Sequence, residues 1–227
     1  MARTVNAEVH MVRREAFVDA AERLMQTRGY EQMSVQDVLD DLGASRGAFY
    51  HYFDSKQALL EAVLDRMVDA GLGSVAPVVD DPTLVAAAKL RKIFSGIGQF
   101  KTDRKALVLS VLEVWLSDDN AIVREKLRRM SVERMGPLLS RIVEQGVAEG
   151  TFAVSAPAQA ARVLVMLLLG FQEVATEMYV ARRKRLISYE EVVRTMATYG
   201  EAFDRILGAP LGTSNLGDEA VMREWFG

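Results

Sequence analysis

The sequence predicts an all-α protein, and three observations carry that expectation. Apolar residues recur at the three- and four-residue spacing of a helix face from about residue 7 to residue 207. No stretch keeps up the strict apolar–polar alternation of a half-buried strand. Helix start and stop residues fall where the apolar faces begin and end, among them Ser34, Gly43, Ser45, Gly150 and Pro157. The predicted organisation is a three-helix unit over 1–54, a connecting helix over 55–74 and a larger helical domain over 75–227.

Composition narrows the function classes. The 227 residues are half hydrophobic, enough for a sizeable core. Cysteine is absent, so disulfides and thiolate metal sites are excluded. His10 and His51 are the two histidines, so no metal centre and no cofactor is expected. Residues 9–12 are no apolar core of a signal peptide, so none is expected. The longest apolar run, 163–171, is nine residues against the roughly 20 that a bilayer span needs. A cytoplasmic location and no membrane partner are therefore expected. No G-x-S-x-G, P-loop or H-E-x-x-H pattern appears, so an enzyme is not expected either.

Taken in order, residues 1–6 read as a loose arm, either frayed or with Arg3 reaching a minor groove. A helix over 7–28 carries the stripe Val12, Ala16, Phe17, Ala20, Leu24 and Met25, and Gly29 stops it. Ser34 and Asp37 form a capping box that opens the next helix, whose apolar face is Val35, Val38, Leu39 and Leu42. Gly43 takes the left-handed position at its end, and Ser45 caps a third helix through Tyr52. Asp54 with Gln57 is the pair expected to open a fourth helix, over 55–70.

The third helix divides into two faces. Phe49 and Phe53, with Tyr52 beside them, point towards the second helix, whereas Arg46, Gly47, Tyr50 and His51 share the other side. A short exposed helix with a small-residue start and Arg, Tyr and His on one face suits the DNA major groove. Lys56 sits in the first turn of a helix, where a cation opposes the dipole; a phosphate held jointly by lysine and helix end would explain it. Net charge argues the other way. Residues 1–56 hold seven Lys/Arg (3, 13, 14, 23, 28, 46, 56) against nine Asp/Glu (8, 15, 19, 22, 31, 37, 40, 41, 54).

The segments S-V-x-D-V from Ser34, G-A-S-R-G-A-F-Y-H-Y-F from Gly43 and S-K-x-x-L-L from Ser55 together resemble the TetR family of bacterial transcriptional regulators. The resemblance implies a helix-turn-helix DNA-binding domain whose helix, starting at Ser45, enters a major groove. It gives Arg46 base reading, Gly47 and Ala48 close approach, and Ser34, Tyr50, His51, Tyr52 and Lys56 contacts to the DNA backbone, with Tyr52 partly in the core. It also implies a helical ligand-binding and dimerisation domain, and a repressor that leaves a palindromic operator when a small hydrophobic effector binds.

Beyond the glycine- and proline-containing boundary at 71–82, helices are predicted over 83–100, 103–117 and from Asp118 or Asp119 to about 149, the last kinked near Pro137. Pro157 starts a helix to about 183, and another runs over 188–207. By resemblance these last two form the homodimer. Phe94, Ile97, Leu112, Trp115, Met130, Met166, Phe171 and Met178 are large and deformable enough to line an effector cavity, or are ordinary core. Glu113, Gln172 and Glu173 either anchor a ligand's polar group, face solvent or bridge the dimer. The basic run 182–185 is accounted for by the helix C-terminus it occupies, with a nucleic-acid or lipid role the alternative. The tail from Gly208 is either a docked segment or a disordered end. A second overall reading is an all-helical carrier or sensor of hydrophobic small molecules without DNA binding, motivated by the acidic balance of residues 1–56.

Overall fold

The computed structural model describes residues 2–116 and 120–227, and the side chains of these other than 2–7, 113 and 116. Among the described residues the helices are α1 (Ala2–Arg28), α2 (Val35–Leu42), α3 (Arg46–Tyr52), α4 (Lys56–Asp80), α5 (Ala86–Asp103), α6 (Lys105–Leu116), α7 (Ala121–Ala148), α8 (Pro157–Arg183), α9 (Tyr189–Leu207) and α10 (Glu219–Phe226). There is no strand among the described residues. Arg3, Glu113 and the caps expected at Asp118 or Asp119 lie outside the described side chains.

Packing divides the chain into two compact units, Met1–Asp69 with Arg104–Leu127, and Ala70–Asp103 with Arg128–Gly227. This differs from the sequence-based division, because α6 and the start of α7 belong with the N-terminal helices. In the first unit α1 lies against both α2 and α6. Phe17, Val18, Ala20, Ala21 and Met25 of α1 are buried, as are Val38, Leu39, Phe49, Phe53, Leu59, Leu60, Val63 and Leu64. Leu107, Val111 and Val114 of α6 are buried in the same unit. Two expectations for α1 are corrected. The helix begins at Ala2, so residues 2–6 are not an arm, and Val12 is 66% exposed instead of part of the stripe. Its core face keeps Phe17, Ala20, Leu24 and Met25 and adds Val18 and Ala21. A network of largely half-buried charges ties α1 to α4: Arg66 donates to Asp19 and Glu22 and lies 3.5 Å from Glu15.

The second unit is built on α5, α7, α8 and α9. Val75 and Val79 at the end of α4 pack with Leu90, Ile93, Ile142, Val143, Leu164, Val165, Phe203 and Leu207. Gly71, Gly73 and Pro77 do not end α4, which runs through them to Asp80. Gly71 is buried with the Phe100 ring against it, so here glycine serves close packing. The first helix of this unit starts later than expected, at Ala86, because its cap comes from afar: the Glu149 carboxylate accepts the Ala86 N–H at 3.0 Å. Gly150 (φ 71°) ends α7, which is one helix with Pro137 inside it. A Cβ on Gly146 would fall 2.0 Å from the buried Phe152 ring, which fixes a glycine there.

Pro157 occupies the start of α8 and a Ser188–Glu191 capping box opens α9. By length and composition α8 could cross a membrane, which the nine-residue run did not anticipate. Val163 and Met166 on α8 and Val193 on α9 are exposed. Gln172 and Glu173 point outward. The tail is docked. Asp204, 1% exposed, accepts the backbone N–H groups of Gly212, Thr213 and Ser214, and α10 then lies along α5 and α8. Phe226 joins Met178 and Val192 in a small cluster, Trp225 donates to Thr102 Oγ1 at 2.9 Å, and Arg182 donates to the Phe226 carbonyl. The first residue of the basic run thus holds the C-terminus in place.

Candidate nucleic-acid interface

The turn between α2 and α3 is built from caps. The Ser34 N–H donates to Asp37 Oδ2 at 2.8 Å and the Asp37 N–H donates to Ser34 Oγ at 3.1 Å. The Ser34 hydroxyl donates in turn to the same carboxylate. That hydroxyl, the Ser34 N–H and Arg28 hold the Asp37 carboxyl below the usual carboxylate range. Gly43 is left-handed (φ 57°), and the Ala44 N–H closes back on the Leu39 carbonyl. Ser45 accepts the Ala48 N–H at 3.2 Å and starts α3; the Phe53 N–H on the Phe49 carbonyl finishes it. The pair Asp54–Gln57 is not the next cap. Ser55 takes that place, accepting the Ala58 N–H at 3.0 Å. Both residue types cap well, so the one-residue ambiguity was not resolvable from the sequence.

Burial divides α3 as its sequence implies. Phe49 is fully buried against Phe17 and Phe53, with ring centroids 5.7 and 5.9 Å away. Arg46, Gly47 and His51 are exposed, Tyr50 is 50% exposed and Ala48 is half-buried. A Cβ on Gly47 would meet nothing within 4 Å, so no internal packing calls for glycine there. Tyr52 is half-buried between Phe17 and His10, at 5.7 and 4.6 Å, which gives it a packing role. His10 also stands edge-on to His51 at 5.4 Å. Thus the two histidines meet, a juxtaposition that 41 residues of sequence separation conceal.

Lys56 is placed by α1's exit. Its ammonium lies 4.1 Å from the Tyr30 ring centre and donates to the Glu31 carbonyl at 3.4 Å. Burial lowers the Lys56 pKa, and burial with the Glu31 charge pushes the Tyr30 phenol up to about 12. The acids that made this segment look unfavourable for DNA are occupied elsewhere: Glu15, Asp19 and Glu22 on Arg66, Asp37 on Arg28, and Asp41 on Arg23. Among the described residues no carboxylate is paired with Arg46. The exposed face of α3 is therefore locally polar and basic although the segment is acidic in sum.

The residues nominated for an effector cavity fall in both units. Leu112 and Trp115, both half-buried, belong to the first unit. In the second, Phe94 stands edge-on to Phe203 at 5.2 Å and Ile97 packs on the same core. Phe171 tilts against Tyr199, Met130 is half-buried, and the exposed Met166 has the Arg128 guanidinium at its sulfur. Met178 is in the separate cluster under Phe226. Among the described residues no three metal-ligating side chains gather.

A family model described as bacterial regulatory proteins, tetR family, matches residues 17–63, the segment that holds α2, α3 and their caps. The chain is 30% identical over 98 residues to the transcriptional regulator EthR of Mycolicibacterium smegmatis, covering 41% of this chain and 45% of that protein. It is 26% identical over 151 residues to the transcriptional repressor KstR2 of Rhodococcus jostii, covering 62% and 68%. Among solved structures, RolR in complex with resorcinol superposes with a TM-score of 0.63 over 95% of both chains, at 16% identity, a likeness of fold.

Proposed function

Residues 17–63 place this chain in the TetR family of bacterial regulatory proteins, and from that premise we propose a homodimeric repressor that a small hydrophobic effector releases from a palindromic operator. Each protomer sets α3 in a major groove, and two-fold symmetry puts the two contacts about one helical turn, or a multiple of it, apart. Arg46 reads a base edge. Gly47 and the half-buried Ala48 let the helix approach, and Tyr50, His51 and Lys56 meet phosphates. Ser34 and Ser45 act chiefly through the caps that hold α2 and α3. The observation that carries this reading is the exposed face of α3: Arg46, Gly47, Tyr50 and His51 are held by capped ends, and among the described residues no carboxylate is paired with Arg46. The acidic balance that motivated a carrier without DNA binding loses its weight, because at least five of the nine acids face arginines of their own unit.

The test is anisotropy with DNA from upstream of the protein's own gene. Arg46→Ala is expected to cost ~1–3 kcal/mol and to relax sequence preference. Lys56→Ala is expected to weaken all sequences alike and to flatten the salt dependence by about one unit per contact. Identical behaviour of the two variants would overturn the division of roles, and no binding at low salt would overturn the function. An effector coupled by ~1–3 kcal/mol changes operator affinity roughly 5- to 150-fold.

A further inference from the structure

The turn from α8 into α9 breaks two local rules that the same chain keeps elsewhere. α8 closes with a pair of backbone bonds: the Arg185 N–H donates to the Arg182 carbonyl at 2.9 Å and the Leu186 N–H to the Ala181 carbonyl at 2.8 Å. In this ending the residue after the cap turns left-handed, and glycine usually fills that position. α2, α7 and α9 end with the same pair of bonds and have Gly43, Gly150 and Gly208 there. α8 has Arg185, with φ 58°, although a side chain makes that conformation costly. The residue that follows commonly folds back onto the helix. Ala44, Thr151 and Ala209 are half-buried at that place in the other three endings, whereas Leu186 is 72% exposed.

The charge around this tip is equally unabsorbed. Arg183, Lys184 and Arg185 are exposed, and among the described residues no carboxylate is paired with any of them. Arg182, which opens the basic run, is used internally, on the Phe226 and Ile187 carbonyls. The two acids that follow in the chain belong to the start of α9. Glu191 accepts the Ser188 N–H at 2.7 Å, and Glu190 is engaged by the Ser188 hydroxyl and by the charges of Arg194 and Arg182. A helix C-terminus accounts for cations in its last turn. It does not account for an arginine in the glycine position, nor for an exposed leucine beside three cations.

We propose that the tip 183–186 is a contact for an anionic lipid surface, with Arg183, Lys184 and Arg185 on the headgroups and Leu186 entering the boundary with the acyl chains. An acidic protein would have to bring a pocket for the leucine. The phosphates of a nucleic acid would meet the cations and leave the leucine without a partner. A bilayer interface accepts both at once, cations at headgroup level and an apolar side chain just below. Three cations alone bind weakly, and the leucine supplies the second element that a peripheral contact needs. The contact is therefore reversible and sensitive to salt. It departs from the expectation of no membrane partner, and it does not depend on the operator reading.

The experiment is co-sedimentation of the full chain with vesicles of phosphatidylcholine alone, or mixed equally with phosphatidylglycerol, at low and at high salt. Wild type is expected on the anionic vesicles, at low salt only. Arg183→Gln combined with Lys184→Gln is expected to weaken that binding ~30-fold, at about fivefold per cation. Leu186→Ser is expected to weaken it ~5-fold or more and to leave its salt dependence unchanged. Arg185→Gly is expected to weaken it ~5-fold while melting no lower than wild type, because glycine suits the left-handed position. Absence of wild type from anionic vesicles, or binding unchanged in the double variant, overturns the lipid contact. If wild type stays off vesicles while the double variant loses affinity for a random DNA duplex, the surface belongs to nucleic acid instead. If L186S changes the mass of the assembly without any vesicle binding, the tip belongs to a second copy of the chain. Each of these failures leaves operator recognition by α3 standing.

Discussion

Two glycines in the DNA-binding segment look alike in the sequence and differ in physics. Gly43 has φ 57°, a conformation in which an L side chain costs ~1–2 kcal/mol, so Gly43→Ala should lower stability by about that amount in urea unfolding. Gly47 is helical with open space where a Cβ would go. Gly47→Ala should therefore keep or raise stability, by up to ~1 kcal/mol, while weakening operator binding. Unchanged operator affinity in G47A would remove the close-approach role. Asp37 adds a pH dependence. Its folded pKa is depressed below the usual value of about 3.9. Its contribution is thus fully present above that ordinary value and is lost as pH falls through the lower, folded one. Thermal melts should show a loss of stability below about pH 4 that Asp37→Asn reduces, Asp81 and Glu190 being held low in the same direction; an unchanged acid limb in the variant would refute the assignment.

At the scale of elements, caps and periodicity were legible and tertiary overrides were not. Ser34, Gly43, Ser45, Pro157 and Ser188 mark helix ends in both sequence and structure, because each acts through its own backbone neighbours. The end of α4 was misread, since Gly71 and Pro77 have poor intrinsic propensity but Val75 and Val79 are buried in the core of the second unit. The start of α5 was misread because its cap, Glu149, is 63 residues away. The docked tail was undecidable for the same reason: what orders it is Asp204, one buried carboxylate on three backbone N–H groups. Within the candidate site, the exposed face of α3 was readable, whereas the His10–His51 contact, the Tyr30 platform and the occupation of the acids by Arg66 depend on which helices meet. Asp204→Ala is expected to cost ~3 kcal/mol or more, since it leaves buried donors unmatched. Denaturant unfolding would measure this, and a cost below ~1 kcal/mol would mean that α10 docks without the loop.

For the whole molecule, α8 and α9 present a question that one copy of the chain leaves open. Little of the apolar stretch of α8 is buried, and Val163, Met166 and Val193 are 53%, 45% and 39% exposed. Apolar faces on two neighbouring helices call for a cover. The palindromic-operator reading supplies one in a second copy, which would also double the number of recognition helices. Val163→Glu combined with Val193→Glu should then give a monomer by analytical ultracentrifugation. It should also lose operator affinity by ~100-fold or more, because the second half-site is no longer bound intramolecularly. The first unit should stay folded, since neither residue belongs to it. A double variant that remains dimeric with full operator affinity would remove α8 and α9 from the dimer interface. Co-flotation of wild type with lipid vesicles, lost in the variant without a change in mass, would assign the same face to a bilayer surface, and the two outcomes are separable because only the dimer makes operator affinity depend on these side chains.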